Sequence, residues 1–343
     1  MKEYAIGILG ATGAVGREML AILAERSFPA KTVRLFASSR SAGRKVLTDR
    51  WGELTIEEAS DRSFEGLDLV LGAADNAASR RFAPAIKAAG ALYVDNASAF
   101  RLDPEVPLVV PEINPEDVKE HHGIIANPNC STIITLVAIQ AIHRLSKITS
   151  ITASTYQAVS GAGAAGPKTL FAETEAALRG LHPKDDAYPA LEPFPYPIAF
   201  NLIPQIGGFQ ENGYTAEEMK LQNEGRKILH LPELDVSCTC VRVPVERSHA
   251  ISACIVTEDP LELSEVAMAV AKAPGCRLVD IPSENIYPMP LETSYQDLVF
   301  VGRIRKDLVH PNGISLWCCG DQVRKGAATN AVQIAELALG IYE

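Results

Sequence analysis

The N-terminal stretch limits most strongly what this chain folds into. Tyr4 to Leu9 is a short apolar run with strand character, and Gly10-Ala-Thr-Gly-Ala-Val-Gly16 comes after it without a break. From Glu18 to Ala24 the apolar positions recur at helical spacing. Strand, glycine turn and helix in that order open a dinucleotide-binding unit, because the glycines let backbone N–H groups close on a pyrophosphate at the positive end of the helix. The spacing is GxxGxxG, not the commoner GxGxxG. A tight strand-to-helix turn in any α/β protein is spelled similarly, so the motif needs support from the rest of the chain.

The second strand supplies some. Thr32 to Ala37 is β-prone and ends in Ser38-Ser-Arg-Ser41. A fold selective for NAD usually places an acidic residue there to bind the ribose 2′-hydroxyl. This chain has hydroxyls and Arg40 at that point and no carboxylate, a donor set that matches the oxygens of a 2′-phosphate. The expected cofactor is therefore NADP. Apolar strands at Leu67 to Leu71 and Ala91 to Val94 alternate with helical stretches up to residue 125, which predicts a parallel, doubly wound sheet. Ligands of such sheets bind beyond the carboxyl ends of the strands, where Arg101, Asn129 and Cys130 fall.

The segment Ile124-Ile-Ala-Asn-Pro-Asn-Cys-Ser-Thr-Ile133 begins apolar, breaks at Pro128 and puts Cys130 at the start of a helical pattern through Ile134, Val137, Ala138, Ala141 and Ile142. A thiol at a helix N-terminus feels the positive end of the dipole, which favours the thiolate. The same residues also suit a buried structural cysteine, and the pattern alone leaves both readings open.

Further along, Ile148 to Thr155 is β-rich and leads into a loop of small residues, Tyr156-Gln-Ala-Val-Ser-Gly-Ala-Gly163. Next come a polar helix and a Pro- and Tyr-rich segment from Ala187 to Pro197, the latter read as a surface excursion or an oligomer contact. Thr215-Ala-Glu-Glu218 has the capping-box spelling ahead of a helix from Met219 to Leu229. Val236 to Val245 alternates with period two, which puts Cys238, Cys240 and Arg242 on one face, and His249 lies just past it. Strands at 250–256, 298–306 and 314–318, the last behind a turn at His310-Pro-Asn-Gly313, imply a second and largely antiparallel sheet. Gly326 to Leu339 reads as one long helix.

Composition bounds the function. A chain of 343 residues suits two domains. Its net charge of −10 argues against binding nucleic acid or an anionic membrane, so a small anionic substrate has to be held by local Arg and Lys. No apolar run is long enough to span a bilayer, and the N-terminus shows no signal-peptide layout. Seven scattered cysteines do not make a disulfide framework, and a cytoplasmic location is expected. The Cys238-x-Cys240 pair lacks a second ligand pair at metal-site spacing, so no metal is expected. A cysteine at a helix start, a downstream histidine and an NADP fold together suggest oxidoreduction at the acyl level through a thioester.

Seven segments, in order along nearly the whole chain, give the sequence a close resemblance to aspartate-β-semialdehyde dehydrogenases of the bacterial type. They are Gly10-Ala-Thr-Gly-Ala-Val-Gly16 with Arg17-Glu-Met, Asp95-Asn-Ala-Ser-Ala-Phe-Arg101, Val110-Pro-Glu-Ile-Asn114, Asn127-Pro-Asn-Cys-Ser-Thr132, Ser154 to Gly163, Arg242-Val-Pro-Val245 with His249, and Arg324-Lys-Gly-Ala-Ala-Thr-Asn330. The resemblance implies that Cys130 is the nucleophile, His249 the acid/base, Gln157 the residue orienting the acyl intermediate and Arg242 the clamp on the substrate α-carboxylate. It likewise implies that Arg101 and Lys220 form the phosphate site and that Glu218 receives the α-ammonium group. Asn129 joins the expected substrate set. The expected cofactor set is Gly10, Thr12, Gly13, Ala14, Val15, Ser38, Ser39, Arg40, Ser41, Ser160, Gly161 and Gln322. Three departures from the family pattern stand out: the turn at Gly72-Ala-Ala-Asp-Asn-Ala77 is poorer in Gly and Ser than the family's cofactor loop, Ala97 replaces a common second serine, and Ser248 stands where glycine is often found.

The expected architecture is α/β. A Rossmann-like, doubly wound NADP-binding domain spans 1–128 and is completed by a C-terminal helix at 323–343. An α+β catalytic and dimerisation domain with a mostly antiparallel sheet spans 129–322. The implied reaction is NADPH-dependent reductive dephosphorylation of β-aspartyl phosphate to aspartate β-semialdehyde by a homodimer or homotetramer. Alternatives are a reductase of a related acyl phosphate or acyl thioester, and a catalytically silent homologue acting as a binding subunit.

Overall fold

A computed structural model describes residues 2–189 and 192–341. They form two compact units, one of residues 1–129, 227–229 and 326–343, the other of residues 130–226 and 230–325.

The first unit is built on β1 (Tyr4–Leu9), whose six residues are all buried. The turn after it feeds α1 (Ala14–Glu25), which starts earlier than the apolar spacing predicts because Ala14 and Val15 already have helical geometry behind Gly13. Around β1 lie β2 (Ala30–Ala37), β3 (Lys45–Thr48), β4 (Gly52–Glu58), β5 (Leu69–Gly72), β6 (Leu92–Asp95) and β7 (Ile124–Ala126), with α2 (Asn76–Ala88) between β5 and β6. The sheet order is β3-β4-β2-β1-β5-β6-β7. All pairings are parallel except the β3–β4 hairpin at one edge, an antiparallel addition that the sequence reading did not include.

Both faces of this sheet are covered, as a parallel sheet requires. On one face Met19, Ile22 and Leu23 of α1 pack on Ile6, Ile8, Leu35 and Leu69, each burial stabilising by about 1.5–3 kcal/mol. On the other face Phe36, Phe64 and Phe82 meet edge to face at 5.6 Å. Gly7 makes room for them, since a Cβ there would lie 2.9 Å from Phe36.

The second unit opens with α3 (Cys130–Leu145). The spacing predicts one buried face, yet every residue from Ser131 to Ile142 is buried, so this is a central helix enclosed on all sides. It packs on a six-stranded sheet made of β8 (Ile148–Gln157), β9 (Asp235–Arg242), β10 (His249–Thr257), β11 (Cys276–Leu278), β12 (Val299–Lys306) and β13 (Gly313–Gly320). Helices α4 (Ala165–Leu178), α5 (Ala216–Ile228), α6 (Leu263–Lys272) and the short α7 (Pro290–Thr293) complete the unit. The order is β11-β12-β13-β10-β8-β9. Three central pairings are antiparallel, while the edge pairings β11–β12 and β8–β9 are parallel.

β9 ends at Arg242, before the Val245 that alternation alone suggests. Pro244 has no N–H to continue the ladder. In the Pro- and Tyr-rich segment, Ala190 and Leu191 lie outside the described residues. From Phe194 onward the segment is anchored, with Phe194, Ile198 and Ile203 packing on Leu170 of α4.

The C-terminal element is one continuous helical run that opens with a π turn. Arg324–Ala328 forms a π turn, and α8 (Thr329–Ala338) comes next and belongs to the first unit. Residues 342 and 343 of the expected helix lie outside the described residues. Glu336 fixes α8 to α1 through a bidentate pair with Arg26 at 2.8 and 2.6 Å. Among the described residues, no helix is long and apolar enough to cross a membrane.

Candidate active site

Register brings three of the expected residues together. Gln157 ends β8 beside Arg242, which ends the parallel β9. His249 starts β10, one residue before Ala250, which lies opposite Tyr156 of β8. It lies past the end of β9, as the spacing predicts, and is the fully buried first residue of β10, one position before the expected strand start. All three reach the same end of neighbouring strands.

Ala158, at the head of the small-residue loop, orients two of them at once. Its N–H donates to His249 Nδ1 at 3.1 Å, and its carbonyl accepts from Arg242 Nη1 at 2.6 Å. With Nδ1 serving as acceptor, a neutral imidazole carries its proton on Nε2. His249 Nε2 is buried and has no hydrogen-bond partner among the described residues. An unpaired buried donor costs about 1–3 kcal/mol, which an oxygen brought by a substrate would recover. The family role suggests a pKa near neutrality. Burial, and then the Arg242 charge, push it down to about 3 against a smaller upward pull from Glu217. His249 is thus a neutral N–H donor.

Burial also lowers the Arg242 pKa, opposed by negative neighbours of which Cys130 is the first and Glu217 the second. The guanidinium lies 5.9 Å from the Phe194 ring. Gly161 explains how Arg242 and His249 fit under the loop: a Cβ there would lie 2.8 Å from Arg242 Nη1 and 3.2 and 3.3 Å from His249 Cε1 and Nε2. Cys130 is partly exposed at the first position of α3. Close packing of that helix is aided by Gly320 of β13, where a Cβ would sit 3.0 Å from Ile134.

The loop is braced from behind. Ser160 Oγ donates to the Glu246 carbonyl at 2.6 Å, Gln322 Nε2 donates to Ser160 Oγ, and Gln322 Oε1 accepts the Ser248 N–H at 2.9 Å. Both polar ends of Gln322 are thereby engaged within the second unit. Ser248, at the position where family members often carry glycine, has φ of 73°, a conformation that disfavours any Cβ. Its hydroxyl bonds Thr293 Oγ1 at 2.7 Å, so the strained residue ahead of His249 is held on two sides.

The acidic ligand expected at Glu218 is corrected by the geometry. Glu218 Oε2 accepts the Thr215 N–H at 2.6 Å, Thr215 Oγ1 accepts the Glu218 N–H at 3.3 Å, and Glu218 Oε1 accepts the Cys240 N–H at 2.9 Å. That is the capping box its spelling announced, with the second oxygen tying α5 to β9. The carboxylate beside the other site residues is Glu217, which the sequence reading missed. Its Oε1 accepts from Gln157 Nε2 at 3.3 Å and its Oε2 pairs with Lys220 Nζ at 2.7 Å. The available signal was spacing, because residues three apart share a helix face and residues two apart do not.

In the first unit, Gly10, Thr12, Ser38, Ser39 and Arg40 line one cavity of about 570 Å3. Gly10 has φ of 89°, and a Cβ there would lie 2.6 Å from the Ala73 carbonyl, so only glycine lets the chain pass this close. Gly13 caps α1 with no side-chain bond to its first turn, and Ala14, Val15 and Ser41 do not line the cavity. Arg81 does, and so does Glu58, the residue paired with Ala37 across β2–β4. A carboxylate thus reaches this rim from the neighbouring strand, through a pairing invisible in sequence.

Arg101 is buried, with Nε donating to the Asn127 carbonyl at 2.9 Å and Nη2 to the Asn96 carbonyl at 2.6 Å. Asn127 is held in turn by Asn96 and by Asn330, both at 2.7 Å. Asn129 is buried at the end of this unit.

Known proteins match both units of the chain. The family model for the semialdehyde dehydrogenase NAD binding domain matches residues 5–121, and that for the semialdehyde dehydrogenase dimerisation domain matches 139–325. An aspartate-semialdehyde dehydrogenase of Synechocystis is 50% identical over 97% of this chain and 96% of its own length. The chain belongs to the aspartate-semialdehyde dehydrogenase family. The Bacillus subtilis member is 47% identical, with 96% of both chains covered. Among solved structures of the family, aspartate semialdehyde dehydrogenase II from Vibrio cholerae superposes with a TM-score of 0.94 at 41% identity over the full length of both chains.

Proposed function

We propose that this chain catalyses the NADPH-dependent conversion of β-aspartyl phosphate to aspartate β-semialdehyde and inorganic phosphate, a step of aspartate-family amino-acid biosynthesis. The observation that carries the reading is the grouping of Gln157, Arg242 and His249 at one end of adjacent strands, with His249 Nε2 buried and unpaired among the described residues. A solved Vibrio cholerae relative, 40% identical over its whole length, is described as a complex with ASA. We take that ligand, aspartate semialdehyde, as the model for the substrate class here.

In this reading the Cys130 thiolate bonds to the acyl carbon while the bond to phosphate breaks, and phosphate leaves with the electron pair. Arg101 and Lys220 take the phosphate oxygens. Arg242 binds the α-carboxylate bidentately, and Glu217, not Glu218, receives the α-ammonium group, which disfavours a substrate lacking that charge. His249 Nε2–H donates to the carbonyl oxygen on which negative charge develops, a task suited to a neutral imidazole of low pKa. Taking up a second proton would put an Nδ1–H against the Ala158 N–H, so donation suits the geometry better than abstraction. Gln157 steadies Glu217 beside the acyl group. When bound, NADPH would supply the hydride that reduces the acyl carbon, and breaking of the carbon–sulfur bond then frees the aldehyde and returns the electron pair to Cys130 as thiolate.

The glycine turn and its cavity fit a dinucleotide. Ser38, Ser39, Arg40 and Arg81 favour the 2′-phosphate of NADP, while Glu58 on the same rim favours a free 2′-hydroxyl. Their balance supports NADP. We assign the cofactor domain to 1–128 with the C-terminal helix, and the catalytic and dimerisation domain to 129–322. Exposed apolar side chains of the second unit, Phe171, Leu178 and Phe200 among them, support a homodimer or a tetramer of dimers. Among the described residues the cysteines form no disulfide, and the Cys238 and Cys240 sulfurs stand 3.8 Å apart, which suits the reducing cytoplasm. The test is NADPH formation from aspartate β-semialdehyde, phosphate and NADP, omitting each in turn. Turnover that requires all three is expected, and phosphate-independent turnover refutes the acyl-phosphate chemistry.

A further inference from the structure

Lys227, in the last turn of α5 and itself part of the first unit, makes an unusual set of bonds. Its ammonium donates to the carbonyls of Arg101 at 3.0 Å, Asp103 at 2.6 Å and Val106 at 2.7 Å. A lysine has three N–H donors, so all are engaged by one irregular loop and none is left for a ligand. Burial lowers the Lys227 pKa, while Asp103 and Asp117 raise it. A cation held half-buried in this way has to be compensated by those carbonyl dipoles.

We propose that Lys227 is a positioning residue for Arg101, setting through the 101–106 loop where the guanidinium meets phosphate. Arg101 is gripped at two places. The Asn127 and Asn96 carbonyls orient its guanidinium, and Lys227 holds its own carbonyl. The loop has no ladder of its own, only local turn bonds such as Asp103 N–H to Phe100 O at 3.1 Å and Val106 N–H to Asp103 O at 3.2 Å. Without the ammonium, three carbonyls lose their shared partner and the backbone that carries Arg101 loses its reference point. The inference rests on the reading of Arg101 as a phosphate ligand.

The test uses initial rates of NADPH formation by the full-length protein. Phosphate is varied at saturating semialdehyde, and semialdehyde at saturating phosphate, in wild type, R101Q, K227M and K227R. R101Q and K227M are each expected to raise the phosphate KM by roughly tenfold or more, as an ångström-scale misplacement of a binding group does. The semialdehyde KM should stay within about twofold, and K227R, which keeps charge and donors, should recover most of the loss. If K227M does not fold, K227Q, with two donors and no charge, replaces it. A raised phosphate KM in R101Q with none in K227M overturns the role of Lys227 and leaves that of Arg101 standing. An unchanged phosphate KM in R101Q overturns the phosphate reading, and this inference with it. A joint rise of both KM values in K227M, not recovered by K227R, makes Lys227 a general structural residue and overturns the inference.

Discussion

Gly161→Ala adds one methyl group where the structure leaves no space for it. The new Cβ would lie 2.8 Å from Arg242 Nη1 and 3.2 and 3.3 Å from two atoms of the His249 ring. Ordinary non-bonded separations are about 3.5–4.0 Å, so the guanidinium has to retreat by roughly 0.7 Å. Retreat is not cheap, because Arg242 Nη1 and His249 Nδ1 are both fixed by Ala158, three residues before the substitution. Displacements of this size cost about 10- to 100-fold in turnover, or roughly 1.4–2.7 kcal/mol in the barrier, with a stability loss of about 1–3 kcal/mol from overpacking. The assay is steady-state kcat/KM for aspartate semialdehyde beside a fluorescence titration of NADPH. A fall of that size is expected in a protein that still binds NADPH. A kcat/KM within threefold of wild type would mean that Arg242 and His249 are not held against Gly161 during turnover, and the account of the site would fail.

Three further outcomes rest on named contacts. C130A should lose turnover while NADP affinity stays near wild type, and measurable residual activity would rule out Cys130 as the nucleophile. E217Q should raise the semialdehyde KM by about tenfold, the worth of one charge-assisted contact, with a normal melting temperature. E218A should instead lower stability by about 1–2 kcal/mol through the lost cap and leave that KM near normal; the reverse pattern would restore Glu218 as the ligand. The third concerns pH. The His249 pKa is depressed to about 3 from 6.5, so its neutral form contributes stability that is intact above 6.5 and is lost as pH falls toward 3, at up to about 1.4 kcal/mol per pH unit. Asp95, raised to about 6 from 3.8 chiefly by burial, runs the other way, contributing below 3.8 and losing its contribution as pH rises through about 6. The measurement is therefore the difference between wild type and H249N in urea midpoints from pH 6.5 to 4.5. Parallel curves would show that His249 does not resist protonation.

Features with short-range causes were legible before any coordinates. The strand–glycine–helix opening, the start of α3 at Cys130 and the capping box at Thr215–Glu218 each depend on residues within one or two turns of each other, so spelling and spacing were enough. The family resemblance then named Gln157, Arg242 and His249. Only the tertiary structure could decide matters that depend on which strand lies beside which. Pairing of β2 with β4 brings Glu58 to the rim where β2 itself lacks an acid. The β8, β9 and β10 register turns Ala158 into the common anchor that fixes the His249 tautomer, and burial in that setting moves its pKa far from the solution value. Glu217 and Glu218 are chemically identical neighbours, about 100° apart around the helix. The cap takes one, with its second oxygen on the Cys240 N–H of β9, while the other reaches Gln157 of β8, and the order of letters along a chain carries no record of those meetings.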